Sequence, residues 1–232
     1  MKFNGSDSLS QRWALILAGG DGKRLLPLTR RIAGDDRPKQ FSDDETFIGY
    51  IDAAYASAAS RPEVVNLLGI PPETPEPEYG WIEPGIPLGA PVPDSVCRVR
   101  RFWEKPYQAI AAALIKRGCM WNSFVMVGHV HTFLNLIRHA LPRLVEAFES
   151  IRPSLFRVSE RTALCELDSG IRATSFSQDV LSAQPNNLAV LRATGLGWSD
   201  LGEPSRVRSV LERKGVRTEW VNAPKGVRQM KE

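Results

Sequence analysis

The chain has 232 residues, of which 43% are hydrophobic, 24% charged and 8% aromatic; that is enough to bury one sizeable core and too apolar for wholesale disorder. A formal net charge of +4 suits anionic small molecules, but no Lys/Arg block is dense enough for nucleic acid. No apolar run approaches the ~20 residues of a membrane span, so neither nucleic acid nor membrane is expected as a partner.

Residues 1–11 read as a polar tail without the apolar centre of a signal peptide. Cys97, Cys119 and Cys165 are few, widely spaced and odd in number. They point to reduced thiols in a cytoplasmic protein, with no zinc spacing and no disulfide framework. Ala14 to Ala18 is a short apolar run, the length of a buried strand rather than a helix. It stops at Gly19-Gly20-Asp21-Gly22, where glycine permits positive φ and close approach of a ligand to the backbone. Lys23 and Arg24 follow at once, and Lys39 waits behind Pro38. Exposed amides with convergent cations after a buried strand make a site for phosphate groups. The loop is not a Walker A sequence, because its Gly-Lys-Ser/Thr ending is missing. Nor is it a dinucleotide fingerprint, because Leu25 stands where the third glycine would fall.

Ser42 or Asp43 can cap a helix over Asp43 to Ala59, in which Phe47, Ile51, Ala54, Tyr55 and Ala58 recur at helical spacing. Val64 to Ile70 reads as the next strand, closed by Pro71-Pro72. A Pro/Glu-rich turn, Glu73 to Glu78, then leads into Tyr79-Gly80-Trp81-Ile82-Glu83. Val96 to Trp103 alternates as a strand would and ends at Glu104-Lys105-Pro106. An Ala-rich helix over Tyr107 to Arg117 finishes at Gly118, as a C′ glycine should. Trp121 to Val127 has a polar start and runs into an apolar strand. His129 and His131 share a face if that strand continues, but two histidines without a third ligand are more often packing and surface residues than a metal site. Thr132 to Ile151 presents Phe133, Leu134, Ile137, Leu141, Leu144, Val145 and Phe148 as a core face, and Pro142 should kink or split it. Leu188 to Leu191 is a further strand before Gly197-Trp198-Ser199-Asp200-Leu201-Gly202. Val207 to Arg213 reads as a closing helix, and a polar tail follows.

The run LAGGDGKRLLPLT…RPKQF resembles the signature of the sugar-nucleotide pyrophosphorylases, a nucleotidyltransferase family. Gln40-Phe41 is most similar to its mannose-1-phosphate guanylyltransferase branch, although Lys23 stands where the family usually carries Thr or Ser. The order of YGWIEPG, Glu104-Lys105-Pro106, Trp121-Asn122-Ser123 and Trp198-x-Asp200-x-Gly202 is similar to that family's order. The resemblance implies an α/β fold: a Rossmann-like mixed, mostly parallel sheet with flanking helices, of the nucleotide-diphospho-sugar transferase type. It makes residues 12–213 one domain between tails 1–11 and 214–232. It implies transfer of a nucleoside monophosphate, GMP from GTP, to a sugar 1-phosphate, mannose 1-phosphate, with Mg²⁺ and release of pyrophosphate. Ala18, Gly19, Gly20, Gly22, Lys23, Arg24 and Lys39 would then bind the nucleotide, with Arg24, Lys39 and Lys105 catalytic. Tyr79 to Glu83 would be the family's substrate-binding turn, in which the Tyr79-Gly80 backbone approaches the sugar, while Glu104 would accept its hydroxyls, Lys105 meet its phosphate and Asn122 bond its ring. Asp200 would help to hold the Mg²⁺.

The resemblance has a hole. In the family, the segment after PKQF reads the base and then supplies another magnesium-binding aspartate. Here Phe41 runs directly into SDDETFIGYIDAAYASAA, which resembles the helix downstream of that aspartate. The gap is worth about two or three βαβ units at ~30 residues each, so several strands are expected to be missing. Either Asp43 or Asp44 takes over the lost ligand, or the metal is held poorly. A shortened sheet leaves an edge beside Ala14 to Ala18 that invites a homodimer. The alternative function is an inactive sugar-phosphate-binding remnant or a regulatory protein.

Overall fold

A computed structural model describes residues 14–16, 44–90, 95–196 and 198, and 14–16 and 45–195 belong to one compact unit. Its elements are β1 (Ala14–Ile16), α1 (Asp44–Ser60), β2 (Val65–Ile70), β3 (Gly80–Pro87), β4 (Val96–Glu104), α2 (Gln108–Lys116), β5 (Met120–Val127), α3 (Val130–Ala140), α4 (Pro142–Ile151), α5 (Glu160–Gly170), a π-helical turn (Phe176–Leu181) and β6 (Leu188–Arg192).

Local chemistry sets several boundaries. Gly118 takes φ +71°, which lets its N–H donate to Ile115 and that of Cys119 donate to Leu114, closing α2 with a Schellman motif. Pro142 has no N–H to continue a helix, so the amphipathic stretch divides at Leu141 and Pro142 opens α4 in its first turn. β5 ends at Val127, and His129 precedes α3 while His131 lies within it, both exposed. They are helix-start residues, not a pair along a strand.

The Tyr79–Glu83 segment corrects one expectation. It is not a turn: Gly80 opens β3, which pairs antiparallel with β4 from Gly80↔Glu104 to Pro87↔Cys97. Its prolines obscured the strand, and they sit where the register shifts, between Glu83 and Pro84 and between Pro84 and Pro87. A residue that cannot donate to a ladder is tolerated at such irregularities.

The strand order is β1-β5-β2-β6-β4-β3. β3 also meets β5, through Trp81↔Trp121 and Ile82↔Met120, so the pairings β5-β2-β6-β4-β3 return to β5 and the sheet curls on itself. The mixed α/β class is as expected, but the parallel majority is not seen among the described strands. β2 and β6 are the parallel pair, joined by a long crossover, while β5 lies antiparallel to β1, β2 and β3.

One face of the sheet carries Val65, Leu67, Ile82, Phe102, Met126 and Val190, packed with Phe133 and Leu136 of α3 and Val180 and Leu181 of the π turn. Asn66 points to the other face by strand alternation. There its amide oxygen accepts from Ser57 of α1 at 2.7 Å, a bond between two fully buried residues that fixes the helix on the sheet.

Candidate functional site

Pairing brings the ends of four strands to one place. Gly80 opens β3 opposite Glu104, the last residue of β4. Asn122, near the start of β5, pairs with Gly69 near the end of β2. Residues far apart in sequence thus become neighbours through sheet register alone.

Two polar groups here are buried without a hydrogen-bond partner among the described residues: Glu104 Oε2 and Asn122 Nδ2. Both adjoin Gly80. A Cβ added there would stand 3.2 Å from Glu104 Oε2 and 3.4 Å from Asn122 Cβ. The absence of a Cβ therefore lets the Gly80 backbone lie close against both residues. Burying such groups unpaired is unfavourable, about 1–3 kcal/mol each by protein mutational data. A ligand bearing hydroxyls would satisfy both.

Burial pushes the Glu104 carboxyl up from its ordinary value, and the ammonium of neighbouring Lys105 opposes that rise. Lys105 is exposed and takes φ +44°, a conformation in which a non-glycine backbone is strained. It turns the chain sharply out of β4, with its cation near enough to Glu104 to act on that carboxyl. On the opposite face of these strands, Tyr79 is buried edge-on against Trp121, with ring centroids 5.0 Å apart, and Trp121 meets Trp81 at 6.1 Å. These ring contacts help to hold β3 against β5.

Of the expected sugar-side residues, Gly80, Glu104 and Asn122 therefore converge and Lys105 flanks them, whereas the Tyr79 ring packs with Trp121 on the other face. Ala18, Gly19, Gly20, Gly22, Lys23, Arg24, Lys39, Asp43 and Asp200 lie outside the described residues, as does the closing helix at Val207 to Arg213. β1, however, runs toward the Asn122 end of β5, its register stepping from Ala14↔Val127 to Ile16↔Val125.

Sequence reasoning missed Glu83. This carboxylate is 4% exposed, accepts from Arg117 and from Trp103 Nε1, and lies 3.7 Å from Arg100. Its signal is an acid at an inward position of an alternating strand, which calls for a buried partner. It also missed Ser123 and Phe124, the polar and apolar residues that follow Asn122.

Residues 39–213 match the Nucleotidyl transferase family. The chain belongs to that family. The sugar-nucleotide pyrophosphorylase resemblance carried by its motifs agrees with this. Among relatives of this nucleotidyl transferase, the xanthan biosynthesis protein XanB of Xanthomonas campestris pv. campestris is 29% identical over 174 residues, covering 75% of this chain and 35% of its own. A mannose-1-phosphate guanylyltransferase of Sinorhizobium fredii is 30% identical over 161 residues, covering 68% and 30%. The chain spans about a third of the length of these relatives. A crystal structure of mannose-1-phosphate geranyltransferase from Thermus thermophilus superimposes with a TM-score of 0.61 at 27% identity, over 74% of this chain and 46% of that one.

Proposed function

We propose that this nucleotidyl transferase moves GMP from GTP to mannose 1-phosphate and releases pyrophosphate. The observation that carries the reading is the pair of buried, unpartnered polar atoms, Glu104 Oε2 and Asn122 Nδ2, either side of Gly80. An acceptor and a donor on two residues that both adjoin Gly80 suit the hydroxyls of a sugar, and Lys105 beside Glu104 is a flexible point charge able to follow its phosphate. The names of the relatives support mannose 1-phosphate as the sugar.

In this reaction an oxygen of the sugar phosphate attacks the α-phosphorus of the triphosphate, and pyrophosphate leaves. Phosphate monoesters lose their second proton near pH ~6, so the nucleophile is ionised at neutral pH and requires no general base. Alignment and cancellation of charge then do the catalysis. The sugar pocket supplies alignment through Asn122, Glu104 and Gly80. β1 runs toward the Asn122 end of β5, and the glycine loop follows it in the sequence. Arg24 and Lys39 are assigned the triphosphate on the sequence motif.

Magnesium, when bound, cancels charge on crowded phosphates. Among the described residues no three of His, Cys, Asp or Glu gather to hold a metal ion. The assignment of Mg²⁺ therefore rests on Asp200, outside them.

A second reading, a sugar-phosphate-binding protein without turnover, is favoured by one observation: Phe41 runs directly into Ser42-Asp43-Asp44, without the segment that reads the base in the resembled family. Titration calorimetry with mannose 1-phosphate and with GTP, beside a pyrophosphate-release assay, separates the two. Release that requires GTP and mannose 1-phosphate together supports the transferase. Sugar-phosphate binding with neither GTP binding nor release leaves the binding protein, and no binding of mannose 1-phosphate removes both.

A further inference from the structure

β5 does not run straight past β2. Leu67 pairs with Met126 and Gly69 with Asn122, so three residues of β5, Ser123, Phe124 and Val125, stand opposite the single residue Leu68. At the centre of this bulge Phe124 takes φ +62°, the left-handed region that a bulky L-residue enters only when its surroundings impose it.

Side chains take over the interrupted ladder. Ser123 Oγ donates to the Leu68 carbonyl at 2.7 Å and accepts from the Val125 N–H at 3.2 Å. The N–H of Phe124 donates to Asn122 Oδ1 at 3.2 Å. This last bond decides which way the Asn122 amide faces. Its oxygen is engaged within the bulge, so its NH₂ group is the part left over, and Nδ2 is the atom that is buried without a partner. The bulge also falls where the outer neighbour of β5 changes, from β3 at Met120 and Trp121 to β1 at Val125.

We propose that Ser123 and Phe124 are positioning residues for the sugar pocket: their bulge locks the Asn122 amide with its two N–H donors presented to the ligand. In a regular strand the Phe124 N–H would serve the ladder, and the amide could present either its oxygen or its nitrogen. This inference rests on the reading of the Gly80–Glu104–Asn122 pocket as a sugar-phosphate site.

The test is calorimetry with mannose 1-phosphate on the full chain, well below each variant's melting temperature. Phe124→Gly keeps the left-handed conformation accessible, whereas Phe124→Val, β-branched, opposes it. The expected result is an affinity within about threefold of wild type for Phe124→Gly and a loss of tenfold or more for Phe124→Val. The Asn122 side-chain NH₂ resonances, assigned by their disappearance in Asn122→Asp, should shift with ligand in wild type and in Phe124→Gly. Should Phe124→Val fail to melt cooperatively, Ser123→Ala is judged by the same tenfold threshold. Wild-type affinity in the deciding variant overturns the positioning role, and so does a tenfold loss in Phe124→Gly, which would assign the contact to the phenyl ring instead. Wild-type affinity in Asn122→Asp, or no binding by the wild type, overturns the sugar-site reading itself and this inference with it.

Discussion

Gly80 stands directly opposite Glu104 across the β3–β4 ladder, and a Cβ built on it would come within 3.2 Å of Glu104 Oε2 and 3.0 Å of Phe102 Cζ. The glycine keeps a small space open beside a buried carboxyl oxygen. Gly80→Ala should fill that space. We expect a folded protein destabilised by ~1–3 kcal/mol from overpacking, with mannose 1-phosphate affinity reduced at least tenfold by calorimetry. Unchanged affinity would show that the ligand does not use the space.

Glu104→Gln should separate stability from binding. The carboxyl is raised in the folded state, first by burial and against the pull of Lys105. A raised acid favours folding below its unfolded value, and that contribution is lost as pH climbs through the folded value. The wild type should therefore gain on the glutamine variant as pH falls through the acid range, and the variant should be at least as stable as wild type at neutral pH. Mannose 1-phosphate binding should nevertheless fall about tenfold or more, since a hydrogen bond to a charged acceptor is worth ~1.5–3 kcal/mol. Thermal melts across pH beside titrations at neutral pH measure both. A variant that melts lower at neutral pH and binds normally would contradict the assignment.

The three thiols should label in order of exposure. Cys165 is exposed, Cys97 intermediate and Cys119 buried. Burial pushes the Cys119 thiol up to about 11, with the Glu83 carboxylate adding to the rise and Arg117 opposing it. The thiolate is the reactive form, so at mildly alkaline pH Cys119 should stay unmodified by iodoacetamide in the native state and react after unfolding. Peptide mass mapping of a time course gives the order. Early modification of Cys119 would mean that its surroundings open readily.

Gly69→Ala should be costly for a different reason from Gly80→Ala. Its Cβ would lie 2.7 Å from Val190 Cγ2, 2.9 Å from Met120 Sδ and 3.0 Å from Met120 Cβ. The methionine sulfur can swing aside, but the β-branched valine cannot. A loss of ~1–3 kcal/mol in urea denaturation is expected, and an unchanged midpoint would mean that β2 and β6 separate more easily than their parallel register suggests.

Most elements were legible because their signals are local. The glycine after α2, the proline that splits α3 from α4, and the apolar runs of β2, β5 and β6 each act within a few residues. α5 was not legible, because Leu167 is its buried residue and so few apolar positions make no periodic stripe. β3 was hidden by Pro84 and Pro87, which belong to its irregular half.

The motif order by itself determined the family and pointed to Gly80, Glu104, Lys105 and Asn122. Tertiary structure alone decided that three of these are neighbours, that Tyr79 packs with Trp81 and Trp121 on the opposite face of the strands, and that Glu83 is held between arginines. It also decided that Phe124 is left-handed, which nothing in the string Trp-Asn-Ser-Phe announces. The reason is physical: propensity and periodicity act along the chain, whereas the strands that put Gly69 beside Asn122 and Gly80 beside Glu104 pair residues with long stretches of sequence between them.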